Sequence, residues 1–229
     1  MKLLAFDTST ETMSIAVMSG MPSGVESGVQ VWQHTAEGGA KSSAVLIPAI
    51  MALLSKANIK LANLDAIVFG RGPGSFTGLR TACSVAQGLA FGANVKVLPI
   101  DTLLAVAEDA RLQYGVNQVL ALLDARMGEV YSASYTYSGG QWQALSAVQL
   151  GTPDALLHPD NCTVVGNVAP AEHHAMPSAT AMLRLAPAML TKGLAMSAEQ
   201  ALPLYVRDKV AQTTLEREAI KSGVIKSQA

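Results

Sequence analysis

The sequence is poor in the residues that staple a chain, ligate a metal or charge a surface. Cys83 and Cys162 are its only cysteines among 229 residues, so it has neither a disulfide framework nor a metal-knuckle spacing. Its four histidines, His34, His158, His173 and His174, form no H-x-x-x-H or H-E-x-x-H. The adjacent pair would point two ways on a strand or a helix, so no metal site is expected. Charged residues make up 14%, with 16 basic against 17 acidic and a net charge of -1, so no global positive field draws the chain to nucleic acid. The longest apolar run, Ala44 to Leu54, is 11 residues and contains Pro48, short of the roughly 20 that cross a bilayer. The opening MKLLAF meets Asp7 too soon for a secretory signal. A soluble, cytoplasmic protein with reduced thiols is expected, and no membrane partner.

What is present is apolar mass: 50% of residues are hydrophobic, enough for one large domain or two small ones. Residues 2–7 and 14–19 read as strands joined by the polar link TSTET, and 24–33 as a third strand after an MPSG turn. Residues 42–57 read as a helix with Ser42 or Ser43 as N-cap. Its apolar residues exceed a single stripe, so burial on two sides is expected. Strand 64–69, helix 76–91 and strand 95–100 follow, then a helix over 103–112 that Asp101-Thr102 would cap. Turn chemistry fills 152–180, and a helix over 179–192 tolerates Pro187.

The opening pattern recurs. LLAFDTSTETMSIAV at 3–17 and LALLDARMGEVYSASY at 120–135 each give strand, aspartate, polar bend and strand, superposing at an offset of 117 without a gap. A chance match of two hairpins is the other reading. Duplication predicts two similar α/β lobes, 1–101 and 102–214, with 215–229 as a weakly held tail.

GRGPGSFTGLR at 70–80 occupies the place of a phosphate loop. No lysine follows its glycines as a Walker loop requires, and G-x-G-x-x-G fails from both Gly70 and Gly72. Two readings stay open: a turn whose glycines permit close packing, or an anion site at a helix N-terminus with Arg71 or Arg80 nearby. Asp7 and Asp124, ending equivalent strands, suit Mg-nucleotide chemistry or are ordinary turn residues. A vestigial nucleotide or anion site would comprise Asp7, Thr8, Ser9, Gly72, Gly74, Ser75, Asp124 and Arg126. Arg71, Arg80 and Arg126 also suit surface salt bridges. No G-x-S-x-G elbow appears.

FDTST at 6–10, GRGPGSFTGLR, AQGLAFG at 86–92, LDARMGEVY at 123–131 and PLYVRDKVA at 203–211 together resemble the TsaB (YeaZ) family of bacterial partner proteins in tRNA threonylcarbamoyladenosine synthesis. The resemblance runs through most of the chain and matches 152–192 only loosely. It implies an α/β, actin/hexokinase/Hsp70-like (ribonuclease H-like) fold with two duplicated lobes. It also implies a role in N6-threonylcarbamoylation of the adenosine beside the anticodon, in tRNAs reading codons that begin with A. The partners it implies are a catalytic paralog, TsaD, and an ATPase, TsaE, with tRNA reached through the complex and a homodimer formed when alone. ATP and Mg would be used by those partners, with no cofactor in the isolated chain.

Catalytic relatives carry a metal-binding H-x-x-x-H after a segment like VKVLPI; here Thr102 and Val106 take those places, and neither replaces imidazole. Lys41-Ser42-Ser43 likewise stands where many relatives start a helix with a histidine. The resemblance therefore implies a non-catalytic scaffold with no catalytic residue and no metal. Helices 42–57 and 76–91 would dock the partner through Leu46, Ile50, Leu53, Leu54, Thr77, Arg80, Cys83, Ala86, Gln87 and Ala90, building an intermolecular four-helix bundle. Leu46→Arg or Ala86→Arg is then expected to block docking and spare the fold. The alternatives are an ATP-dependent phosphotransferase of the actin-like superfamily and, third, a peptidase-like protein.

Overall fold

β1 (Lys2–Asp7) and β2 (Thr12–Ser19) form the antiparallel hairpin that the alternation predicts, with Asp7 opposite Ser14. The structure, a computed structural model, describes residues 1–20, 28–156 and 161–207. β3 (Gln30–Glu37) adds antiparallel to β2. It starts and ends later than the expected 24–33, because pairing with β2 continues until Thr12 faces Glu37. Residues 24–27 of that expected strand, the MPSG turn and the 215–229 tail lie outside the described residues.

β4 (Ala66–Gly72) and β5 (Lys96–Asp101) complete a five-stranded sheet in the order β3-β2-β1-β4-β5, with β1, β4 and β5 parallel. The second sheet repeats this plan. β6 (Gln118–Arg126), β7 (Glu129–Ser138) and β8 (Gln141–Ala144) form a meander. The short β9 (Gln149–Gly151) pairs with β7, while β10 (Thr163–Gly166) and β11 (His173–His174) lie parallel beside β6. Its order, β8-β7-β6-β10-β11, is the first order over again. This is the actin/hexokinase-like fold, and the duplication seen at the offset of 117 is a duplication of topology.

Among the described residues, four α-helices cover these sheets. α1 (Ser42–Lys56) and α2 (Phe76–Ala93) pack on one face of the first sheet, where Phe6, Ile15, Leu46, Ile50, Phe69 and Ala86 share a core. α4 (Ala179–Thr191) covers the opposite face through Met182, Leu183 and Ala186, although it lies far along the chain. α3 (Thr102–Tyr114) packs on the second sheet through Leu103, Val106 and Ala110. Among the described residues, no helix is long and apolar enough to cross a membrane.

The helix ends depart from expectation for local reasons. A 3-10 turn over Gly39–Lys41 leads directly into α1, so Lys41 is already helical, and Ser42 falls inside the helix instead of capping it. Asp101 precedes α3 without capping it, since its carboxylate is drawn to Arg71. α2 runs to Ala93, two residues beyond expectation, and ends where Asn94 turns left-handed at φ 54°. α1 is not buried on two sides: Val45, Ile47 and Met51 are 40%, 44% and 47% exposed.

Candidate functional site

α1 carries no charged residue from Ser42 to Ser55, so its outward face presents Val45, Ile47, Pro48 and Met51 to solvent without an ionic group among them. On α2 the outward stripe is Thr77, Ser84, Gly88 and Phe91, the last 75% exposed. A side chain at Gly88 or Gly92 would meet nothing within 4 Å. Each helical glycine costs about 1 kcal/mol against alanine, and nothing within the described residues requires it. A bare groove at that height admits a second helix at close range.

The residues expected to dock divide between the two sides of this pair. Thr77 and Arg80 are exposed and Gln87 is half-buried. Leu46, Ile50, Leu53, Leu54, Cys83, Ala86 and Ala90 belong to the core beneath the helices. Arginine at Leu46 or Ala86 would place an unpaired charge in that core, so these substitutions test folding and not docking. Cys83 is pushed up in pKa by burial, and its thiol and the Gln87 amide both donate to the Ala201 carbonyl, at 3.1 and 2.8 Å. The periodicity of α1 carried no sign of which face is wet, because the helix is apolar all round.

Between the two sheets lies a cleft of about 610 Å³, whose walls include Ser9, Gly74, Ser75, Asp124 and Arg126. Asp7 and Thr8 are wholly buried beneath it and Gly72 is buried against the Leu204 carbonyl. The Asp7 carboxylate accepts from the backbone N–H and hydroxyl of Ser9 through one oxygen, at 2.8 and 2.6 Å. Its other oxygen has no hydrogen-bond partner among the described residues. Burial raises the pKa of this carboxyl to about 6, only partly opposed by the Ser9 hydrogen bonds.

The glycine loop packs hard on this turn. A Cβ at Gly70 would lie 1.8 Å from the free Asp7 oxygen, and one at Gly78 would lie 1.8 Å from the Thr8 carbonyl. Thr8 Oγ1 donates to the Gly78 carbonyl at 2.7 Å, and the Ser75 amide donates to the Ser9 carbonyl at 2.7 Å. Close packing is thus a use these glycines have in the folded chain. Across the cleft, Arg126 bridges to Glu11 on the first hairpin and, at 3.2 Å, to Asp124 beside it.

Sequence reasoning passed over Phe76 and Tyr205. The Arg80 guanidinium lies 3.6 Å from the Phe76 ring centroid, and Arg80 Nε donates to the Tyr205 hydroxyl at 2.9 Å. Arg207 donates to the Ala125 carbonyl and pairs with Glu129, fastening the last described segment to the second hairpin. Both Tyr205 and Arg207 fall within PLYVRDKVA, so the signal was in the motif and its use was not.

The family model described as TsaD, tRNA N6-adenosine threonylcarbamoyltransferase, matches residues 30–164. The "tRNA threonylcarbamoyladenosine biosynthesis protein TsaB" of Escherichia coli is 31% identical, covering 92% of this chain and 96% of that relative. The chain belongs to the TsaB family. The TsaB of Haemophilus influenzae is 33% identical, over 91% of this chain and 94% of its own length. Among solved structures, YeaZ from Pseudomonas aeruginosa superposes with a TM-score of 0.78 at 33% identity, covering 89% of this chain and 99% of that one. The TsaB likeness therefore takes in about nine tenths of the chain.

Proposed function

We propose that this chain is a non-catalytic subunit of tRNA threonylcarbamoyladenosine biosynthesis. In this reading it docks on the catalytic paralog TsaD through the outward faces of α1 and α2, works in the cytoplasm with the ATPase TsaE, and reaches tRNA only through the complex. The names of its TsaB relatives support the pathway. The observation that carries the docking mode is the uncharged, apolar outward face of α1 beside the open Gly88 and Gly92 positions of α2.

The choice of partner follows from kinship. The TsaD family model matches a span that contains both helices, so a catalytic paralog would carry a similar pair. Two such pairs meeting about a pseudo-twofold axis form a four-helix bundle. Two copies of this chain would meet in the same way, so the homodimer and the heterodimer compete for one surface.

The non-catalytic part of the reading rests on α3 and on the cleft. Thr102 and Val106, at the positions where catalytic relatives place histidines, are both buried in the core. The phosphotransferase alternative asks Asp7 to face a metal-bound nucleotide, yet its carboxylate is wholly buried with the unpartnered oxygen packed against Gly70. The test is tRNA threonylcarbamoylation reconstituted from TsaD, TsaE and the activated donor, with and without this chain. Omission is expected to abolish modification, while the chain alone modifies no tRNA and turns over no ATP. Undiminished modification without the chain would overturn the proposal.

A further inference from the structure

The face of the first sheet opposite α1 and α2 holds a second recess. Among the described residues no strand pairs with the outer edge of β3, which ends the sheet as an eight-residue open strand. Under that edge runs a groove of about 1080 Å³, walled by Val29 and Val31, by Leu183 and Met189 of α4, and by the β7–β8 hairpin. A long open edge above aliphatic walls is the arrangement by which extended peptides add to sheets.

The charges in the groove are unequal in sign. Glu108, 2% exposed, is its single carboxylate among the described residues and is already engaged. Arg111 donates to both of its oxygens, at 2.9 Å each, and Trp142 Nε1 donates at 2.8 Å. Arg184 reaches the same carboxylate only at 3.8 Å and stays half exposed. Lys192 donates to the neutral Gln141 and meets no carboxylate among the described residues. Among the described residues, two cations thus face the groove with little to neutralise them.

The aromatic residues argue against a nucleic acid. The ring of Tyr137 is covered by the Arg111 guanidinium at 4.2 Å and met by the Trp142 ring at 5.3 Å, and Trp142 also meets Tyr135 at 6.3 Å, so the aromatic rings described in the groove are already engaged with protein groups. We infer that this groove and the β3 edge bind an acidic, extended segment of a partner protein, paired to β3 as a sixth strand. Its aliphatic side chains enter the groove and its carboxylates meet Arg184 and Lys192. The site lies across the sheet from the docking helices, so it does not rest on the reading of α1 and α2, and both surfaces can be occupied at once.

The test is fluorescence anisotropy with the full chain and a fluorescein-labelled nonapeptide carrying Leu, Asp, Val and Glu at alternate positions, with Ser and Thr between. Saturable binding that weakens with added salt is expected. The Arg184→Gln, Lys192→Gln double variant should weaken it about tenfold while melting like the parent chain. Val31→Glu, at an exposed edge position, should weaken it as well. N-methylating one alternate set of peptide amides should abolish binding, and methylating the other set should not. Equal binding of a peptide with lysine in place of the acids would overturn the proposal, as would indifference to both variants. Binding of a uridine decamer lost in the double variant would assign the groove to RNA instead. Self-association lost in that variant would assign it to a second copy of this chain.

Discussion

The two halves share one strand order but differ in what they place between the strands. In the first half, α1 joins β3 to β4 and α2 joins β4 to β5. In the second, the link from β8 to β10 holds only β9 and a 3-10 turn at Pro153–Ala155 among its described residues, and β10 passes to β11 with no helix. Both helices that present an unpaired face belong to the first half. In the second half α3 leads into the sheet and packs on it, while α4 leaves it to cover the first.

The aspartates differ in the same direction. The first hairpin opens into a polar bend, and Asp7 sinks beneath it beside Gly70. The second closes tightly through Met127 and Gly128, both at positive φ, and leaves Asp124 partly exposed beside Asn167. Equivalent positions of the two hairpins thus hold a buried acid in one lobe and a partly exposed ion pair in the other.

The largest effect is expected from charge on the first half's outward face. Ile47→Glu should abolish pairing with TsaD and the homodimer in analytical ultracentrifugation, with an unchanged melting temperature. Leu145→Glu, an exposed apolar position in the second half, should change neither. Equal effects at the two sites would erase the contrast between the halves.

Gly70→Asn comes next. It gives the first half the side chain that the second carries beside its aspartate, and it should cost about 4 kcal/mol in urea denaturation, because the new Cβ meets the Asp7 carboxylate and Met182. A cost under about 1 kcal/mol would show that the packing of Asp7 is loose.

Asp7→Asn sharpens the comparison through pH. Burial raises the folded-state pKa from 3.8 to about 6, so the folded chain holds this proton more tightly than the unfolded chain. The contribution to stability is fullest below about pH 4, falls as pH rises to 6 and is then level. The variant should match the parent at pH 4 and exceed it by up to about 3 kcal/mol at pH 8. A difference that does not change with pH would mean that Asp7 stays ionised in the fold. Asn167→Ala, which removes the acceptor for the Asp124 amide at 3.0 Å, should cost about 1 kcal/mol.

The sequence made the duplication legible because strand alternation and the aspartate spacing survive in both copies. It did not show that the second hairpin pairs one residue out of step: Tyr131 faces Leu123, where the first half's pattern would set it opposite Asp124. Equal spacing along the chain is silent about register when a bulge intervenes. The helices α1 and α2 were legible from composition, but an all-apolar helix has no polar stripe to mark its wet face. The placement of α4 against the first sheet depends on contacts far apart in sequence, such as the Ala179 amide donating to Ser14 Oγ 165 residues away, which no local pattern records.

Gly88→Leu tests the central claim most directly, because that position is open in the chain and closed in the proposed bundle. Measured by calorimetry, the variant should melt no lower than the parent, since leucine replaces a helical glycine in open space, and titration with TsaD should show no binding. Binding at parental strength would contradict docking through α1 and α2.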